Sequence, residues 1–162
     1  MSIKIIALGN VLMKDDGIGC EVLKLIEKDL SKEKNYHKFE FIYGETDISY
    51  CINSVINDDQ LFIIDASYFK KNPGDITMYQ INSFNSNKKI YSQHSYNFID
   101  LLRIYYPNVK GYIYAIEIAE VGYGMGISKA LNDKIESIST EIKESILDMI
   151  GERSSDEIWQ KV

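Results

Sequence analysis

The chain has 162 residues, enough for one domain that folds without disulfides or a structural metal. Hydrophobic residues make up 45% and charged residues 26%, a balance that excludes both a disordered chain and an integral membrane protein. A formal charge of -6 opposes any broad phosphate-binding surface, so nucleic acid is not an expected partner.

Ile3 to Leu8 is apolar apart from Lys4 and ends on Gly9, which predicts a buried parallel strand. The run is too short for a secretory signal or a membrane span, and a cytoplasmic location is expected. Only two cysteines occur, Cys20 and Cys51, too far apart in the chain for a redox pair or a zinc knuckle, which fits reduced thiols in that compartment. From Ile18 the positions Val22, Leu23, Ile26 and Leu30 keep helical spacing, so a first helix is predicted from near Gly17. Asp15 and Asp16 stand where its N-cap and favourable first-turn charges belong.

Phe39, Phe41, Ile42 and Tyr43 predict a second strand closed by Gly44, and Asp47 to Ile56 suits a short helix. Leu61 to Ile64 is a third, buried strand that stops at Asp65. Asn72, Pro73 and Gly74 form a turn, after which Ile76, Met78 and Tyr79 predict a less buried edge strand. Ser92 is a candidate N-cap for a helix whose inner face reads His94, Phe98, Leu101, Leu102 and Tyr105, ended by Pro107. Tyr112 to Ile118 is the last strand. Leu131, Ile135, Ile138, Ile142, Met149 and Ile150 predict one long amphipathic helix, followed by a polar, loosely held tail at 151–162. Strands that alternate with helices predict a single three-layer α/β domain over residues 1–150 with a mainly parallel, mixed sheet.

In such sheets ligands bind beyond the carboxyl ends of the strands. Asp16, Asp65 and His94 are all expected at that rim. Two carboxylates and one imidazole suit zinc, nickel or a similar divalent ion and leave coordination positions open for water or substrate. A metal held there can polarise a peptide carbonyl, which points to peptide hydrolysis. Each residue also has a plainer reading: Asp15 or Asp16 as a helix cap, Asp65 as a turn cap, His94 as a helix-start residue bonded to a carbonyl. Cys20 reads as packing. The glycines Gly9, Gly17 and Gly19 lack the spacing of a dinucleotide fingerprint, and there is no phosphate loop.

The run Leu8-Gly9-Asn10-Val11-Leu12-Met13-Lys14-Asp15-Asp16-Gly17-Ile18-Gly19 resembles the opening signature of the hydrogenase maturation proteases. Ile63-Ile64-Asp65-Ala66 is similar to that family's second acidic motif, and Gln93-His94 ahead of Phe98, Leu101 and Leu102 to its histidine helix. Ile116-Glu117 and Val121-Gly122-Tyr123 extend the resemblance, which runs from about Ile3 to Leu131. It implies a three-layer α/β/α sandwich of the phosphorylase/hydrolase-like kind with a twisted five-stranded sheet. It also implies that Asp16, Asp65 and His94 are the catalytic and metal-binding residues. The implied partner is a nickel-iron hydrogenase large-subunit precursor, whose C-terminal extension is removed after nickel insertion; the nickel comes with the substrate, and other divalent ions can substitute. Two departures stand out. Ala7 replaces a common glycine, and Ile118-Ala119 replaces a proline-acid pair, so the nearest acids there are Glu117 and Glu120. Two rival readings are a peptidyl-tRNA hydrolase, which Val11 and the negative charge oppose, and a noncatalytic module that escorts a nickel-loaded precursor.

Overall fold

The computed structural model describes residues 2–83 and 93–151, with the side chains of residues 93–96 excepted. Five strands form one sheet: β1 (Ile3–Leu8), β2 (Phe39–Glu45), β3 (Gln60–Ser67), β4 (Ile76–Gln80) and β5 (Lys110–Glu117), in the spatial order β2-β1-β3-β5-β4. All neighbours are parallel except β4 against β5, so the antiparallel strand sits at an edge. The helices are α1 (Ile18–Leu30), α2 (Ile48–Asn53), α3 (Gln93–Tyr105), α4 (Lys129–Asn132) and α5 (Ile135–Met149).

Alternation along the central strands sorts the core into two layers. Ile5, Ala7, Phe62, Ile64, Tyr114 and Ile116 face α1 and α5, where Val22, Leu23, Ile26, Ile138, Ile142 and Ile146 are buried against them. Ile6, Leu8, Leu61, Ile63 and Ile113 face α2 and α3, meeting Cys51, Ile52, Phe98, Ile99 and Leu102. Both faces of the central strands are therefore covered, which is why β1 and β3 read as unbroken apolar runs. At about 1.5–3 kcal/mol for each large side chain buried, these two layers dominate the stability.

Several boundaries and caps differ from those expected, among them β5, which runs over Lys110–Glu117 rather than the expected Tyr112 to Ile118. Strand β3 does not stop at Asp65 but runs on to Ser67, because Ala66 and Ser67 are small enough to stay buried while pairing with Ile116 and Glu117 of β5. Neither Asp15 nor Asp16 caps α1; both lie in a single 3-10 turn, Lys14–Gly17, and the cap residue of α1 is Gly17, with no side-chain cap bond. The expected helix over 47–56 is shorter, capped by Asp47, whose side chain accepts from the Tyr50 N–H. The expected long final helix is two: α4, capped by Ser128, and α5, with Asp133 and Lys134 turning between them. Ser92 and the tail from residue 152 on lie outside the described residues.

Candidate active site

The rim at the carboxyl ends of the parallel strands is shaped by the turn that leaves β1. Gly9 takes φ +117, a backbone conformation that side chains rarely adopt, and a Cβ placed there would stand 1.9 Å from the Asp16 carbonyl oxygen. The chain then folds on Asn10, whose side-chain oxygen accepts from the Leu12 N–H (2.9 Å) while its carbonyl accepts from Met13 (2.9 Å). The 3-10 turn comes next, and Gly19 lets α1 press on the strand ends: a Cβ there would lie 2.7 Å from the carbonyl oxygens of both Leu8 and Ile64. The start of α1 is thus seated directly on the ends of the two central strands.

Asp16 is partly exposed, and its Oδ2 accepts the Asn10 N–H at 2.7 Å. Asp65 is buried, with Oδ1 accepting from the Ala66 N–H at 2.8 Å, and the same Oδ1 would be 3.7 Å from a Cβ on Gly9. The Asp16 backbone and the Asp65 carboxylate both lie beside Gly9, and the Asp16 carboxylate holds the amide of the next residue, Asn10, so the turn after β1 brings Asp16 close to Asp65 at the end of β3. His94 is the second residue of α3; its side chain lies outside the described residues. The placement of α3 is set by topology. Its last turn leads through Tyr106 and Val109 into the amino end of β5, and its 13 residues span about 20 Å, so its first turn lies toward the carboxyl rim. Among the described residues no group of three metal-capable side chains assembles.

Two further acids at this rim have roles that the sequence does not reveal. Asp15, fully buried, accepts three backbone N–H groups, from Ala119 (3.0 Å) and Glu120 (2.9 Å) at Oδ2 and from Ser128 (2.5 Å) at Oδ1. Glu117, also buried, accepts from Phe69 N–H (2.8 Å), Lys71 N–H (3.0 Å) and the Ser67 hydroxyl (3.4 Å). Each ties down a loop beside the rim. Glu120, by contrast, is at the surface in an ion pair with Lys14 at 3.0 Å. The buried thiols take no part: burial pushes Cys20 up to about 11 and Cys51 up to about 12, so both stay protonated at neutral pH. A cavity of about 400 Å³ opens at the other end of the sheet, among Gln60, Gln80 and Lys110, away from the two acids.

Comparisons with known proteins identify the family. A protein of Methanocaldococcus jannaschii, provisionally named as a hydrogenase maturation protease, is 28% identical over 153 residues, covering 87% of this chain and 96% of that one. Among solved structures, the nickel-iron hydrogenase maturation protease HybD of Thermococcus kodakarensis superposes with a TM-score of 0.70 at 24% identity, over 90% of this chain and 99% of that one. The hydrogenase maturating endopeptidase HybD of Escherichia coli gives 0.73 at 22%, over 93% and 94%. These two show the shared fold. The family model described as hydrogenase maturation protease matches residues 20–151, a span that begins after the Leu8–Gly19 run and so does not depend on it. With that match over most of its length, the chain belongs to the hydrogenase maturation proteases, a family of peptidases.

Proposed function

We propose that the chain is the endopeptidase that removes the C-terminal extension of a nickel-loaded nickel-iron hydrogenase large-subunit precursor, in the cytoplasm, with Asp16, Asp65 and His94 gripping the nickel the precursor carries. The observation that supports this most is that the Asp65 carboxylate beside Gly9 and the Asp16 carboxylate on the Asn10 amide are held at consecutive residues of the turn at the carboxyl rim, in a chain of this family. Two carboxylates brought to one turn favour a divalent cation, and an imidazole completes a donor set suited to nickel, with positions left for the precursor's own ligands. The nickel would then serve as the recognition mark that brings the neighbouring peptide bond to the rim. Hydrolysis adds water across that C–N bond, leaving a new carboxylate on the large subunit and a free amine on the released peptide.

The site residues are tested by Asp16→Asn. Asparagine retains an oxygen to accept the Asn10 N–H, so stability should fall by no more than about 1 kcal/mol. Loss of the anion should cut cleavage of the precursor by about 100-fold. Cleavage within a few fold of wild type removes Asp16 from the site. The substrate is tested by incubating wild type with nickel-loaded and nickel-free precursor and measuring intact mass. Loss of a C-terminal peptide from the loaded form alone is the expected result. Equal cleavage of both overturns nickel reading, and binding without cleavage of either favours the escort role.

A further inference from the structure

Asp15 and Asp16 are neighbours with opposite surroundings. A buried carboxylate is costly unless its oxygens are satisfied, and Asp15 finds its acceptor bonds with amides 104, 105 and 113 residues further along the chain. The loop that supplies them is also bridged to the turn itself: Lys14 N–H donates to the Gly124 carbonyl (2.9 Å), and Gly124 N–H donates to the Leu12 carbonyl (3.0 Å). Lys14 sits at φ +50, a conformation that a lysine adopts only when its surroundings enforce it. The 3-10 geometry then links the two acids, because successive side chains in such a turn are about 120° apart. With Asp15 directed inward to the loop amides, the turn carries Asp16 round to face Asn10 and the rim.

We propose that Asp15 is a positioning residue for substrate recognition: held by the 118–128 loop, it sets the rotation of the Lys14–Gly17 turn and thereby the direction of Asp16. This rests on the reading that Asp16 receives the precursor's nickel. The effect falls on binding rather than on bond cleavage, since Asp15 is buried and reaches the substrate only through its neighbour.

Asp15→Asn is the test. In the better amide orientation the oxygen keeps Ala119 and Glu120, and the NH2 group faces the Ser128 N–H, so one bond of the three is lost with the charge. Amide exchange by NMR should quicken at Ala119, Glu120 and Ser128, and also at Asn10, whose N–H is held by Asp16. A merely structural clasp would loosen the first three and leave Asn10 alone. On nickel-loaded precursor, KM should rise about tenfold or more while kcat stays within about threefold. Unchanged Asn10 exchange overturns the proposal, as does a fall in kcat at unchanged KM. Gly124→Ala supplies a second variant if Asp15→Asn fails to fold. It is strained at φ +146 yet meets nothing closer than 3.7 Å, and it unseats the same loop from the far side, so the same pattern is expected at smaller amplitude. If wild type does not cut the precursor, the functional reading fails by itself, and Asn10 exchange still decides whether Asp15 directs Asp16.

Discussion

Gly9→Ala should disable the site although the residue has no side chain to contribute. Two costs add. Alanine at φ +117 carries backbone strain of about 1–3 kcal/mol, and its Cβ would stand 1.9 Å from the Asp16 carbonyl oxygen, about 1.5 Å short of ordinary contact. Overpacking of that kind costs about 1–3 kcal/mol where the structure can yield. Helix α1 cannot retreat, because Gly19 already lies against the carbonyls of Leu8 and Ile64, so the displacement falls on the 3-10 turn that bears Asp16. A total near 4 kcal/mol lowers the melting temperature by about 8–16 °C for a chain of this size. A misplacement of about 1 Å at the rim costs about 100-fold in kcat/KM for the nickel-loaded precursor, expected chiefly as a raised KM because the displaced group is Asp16. Thermal denaturation and precursor cleavage, both measured beside Gly122→Ala, provide the assay. Gly122 has open space around it and no positive φ, so its alanine variant should stay within about 0.5 kcal/mol of wild type. A Gly9→Ala protein with unchanged melting temperature and cleavage within twofold would refute this account of the turn.

A cluster at the other end of the sheet predicts acid sensitivity. Buried Asp59 is pushed up by burial, but the amides of Ile56 and Ser2, the Ser2 hydroxyl and the Lys4 charge at 3.4 Å outweigh that and hold its carboxyl below the usual range. Its contribution is therefore complete above the unfolded value of about 3.9 and is lost as pH falls through the lower folded value. Asp59→Asn should cost about 1.5–3 kcal/mol at pH 7, with the gap to wild type closing in acid; urea denaturation across pH checks this, and a gap independent of pH contradicts it. The two buried thiols, raised to about 11 and about 12, should resist a thiol reagent at pH 8 in the native state and react together on unfolding. One equivalent reacting on mixing with native protein would show that the packing around one of them is wrong.

The layers were legible in the sequence because burial on both faces writes itself as apolar runs, as in Ile5 to Leu8 and Leu61 to Ile64. The end of β3 was not legible, since Asp65 interrupts the run although backbone pairing continues through it to Ser67. The placing of Asp16 and Asp65 at one rim followed from strand ends alone. The role of Asp15 did not: an acid before a helix suggests a local cap, and its actual partners are more than a hundred residues away. Glu117 was hidden in the same way, an acid at a strand end whose bonds go to a loop 46 and 48 residues earlier.

On the ribosome this chain meets its own sheet out of sequence. Strand β4 emerges ahead of β5, yet β5 lies between β3 and β4, so β4 must wait for a later segment before it has a place in the sheet. Until then β3 presents an unpaired edge. The amides that satisfy Asp15 emerge later still, at Ala119, Glu120 and Ser128. At about 5–20 residues per second, Ser128 follows the end of β3 by roughly 3–12 s. During that interval the Lys14–Gly17 turn has its local bonds to Asn10 and Met13 but lacks the distant amides that hold Asp15. The loop that holds Asp15 is therefore in place only after Ser128 has emerged, and a chain stalled in the β4–β5 interval would be a bare-edged folding intermediate for a chaperone.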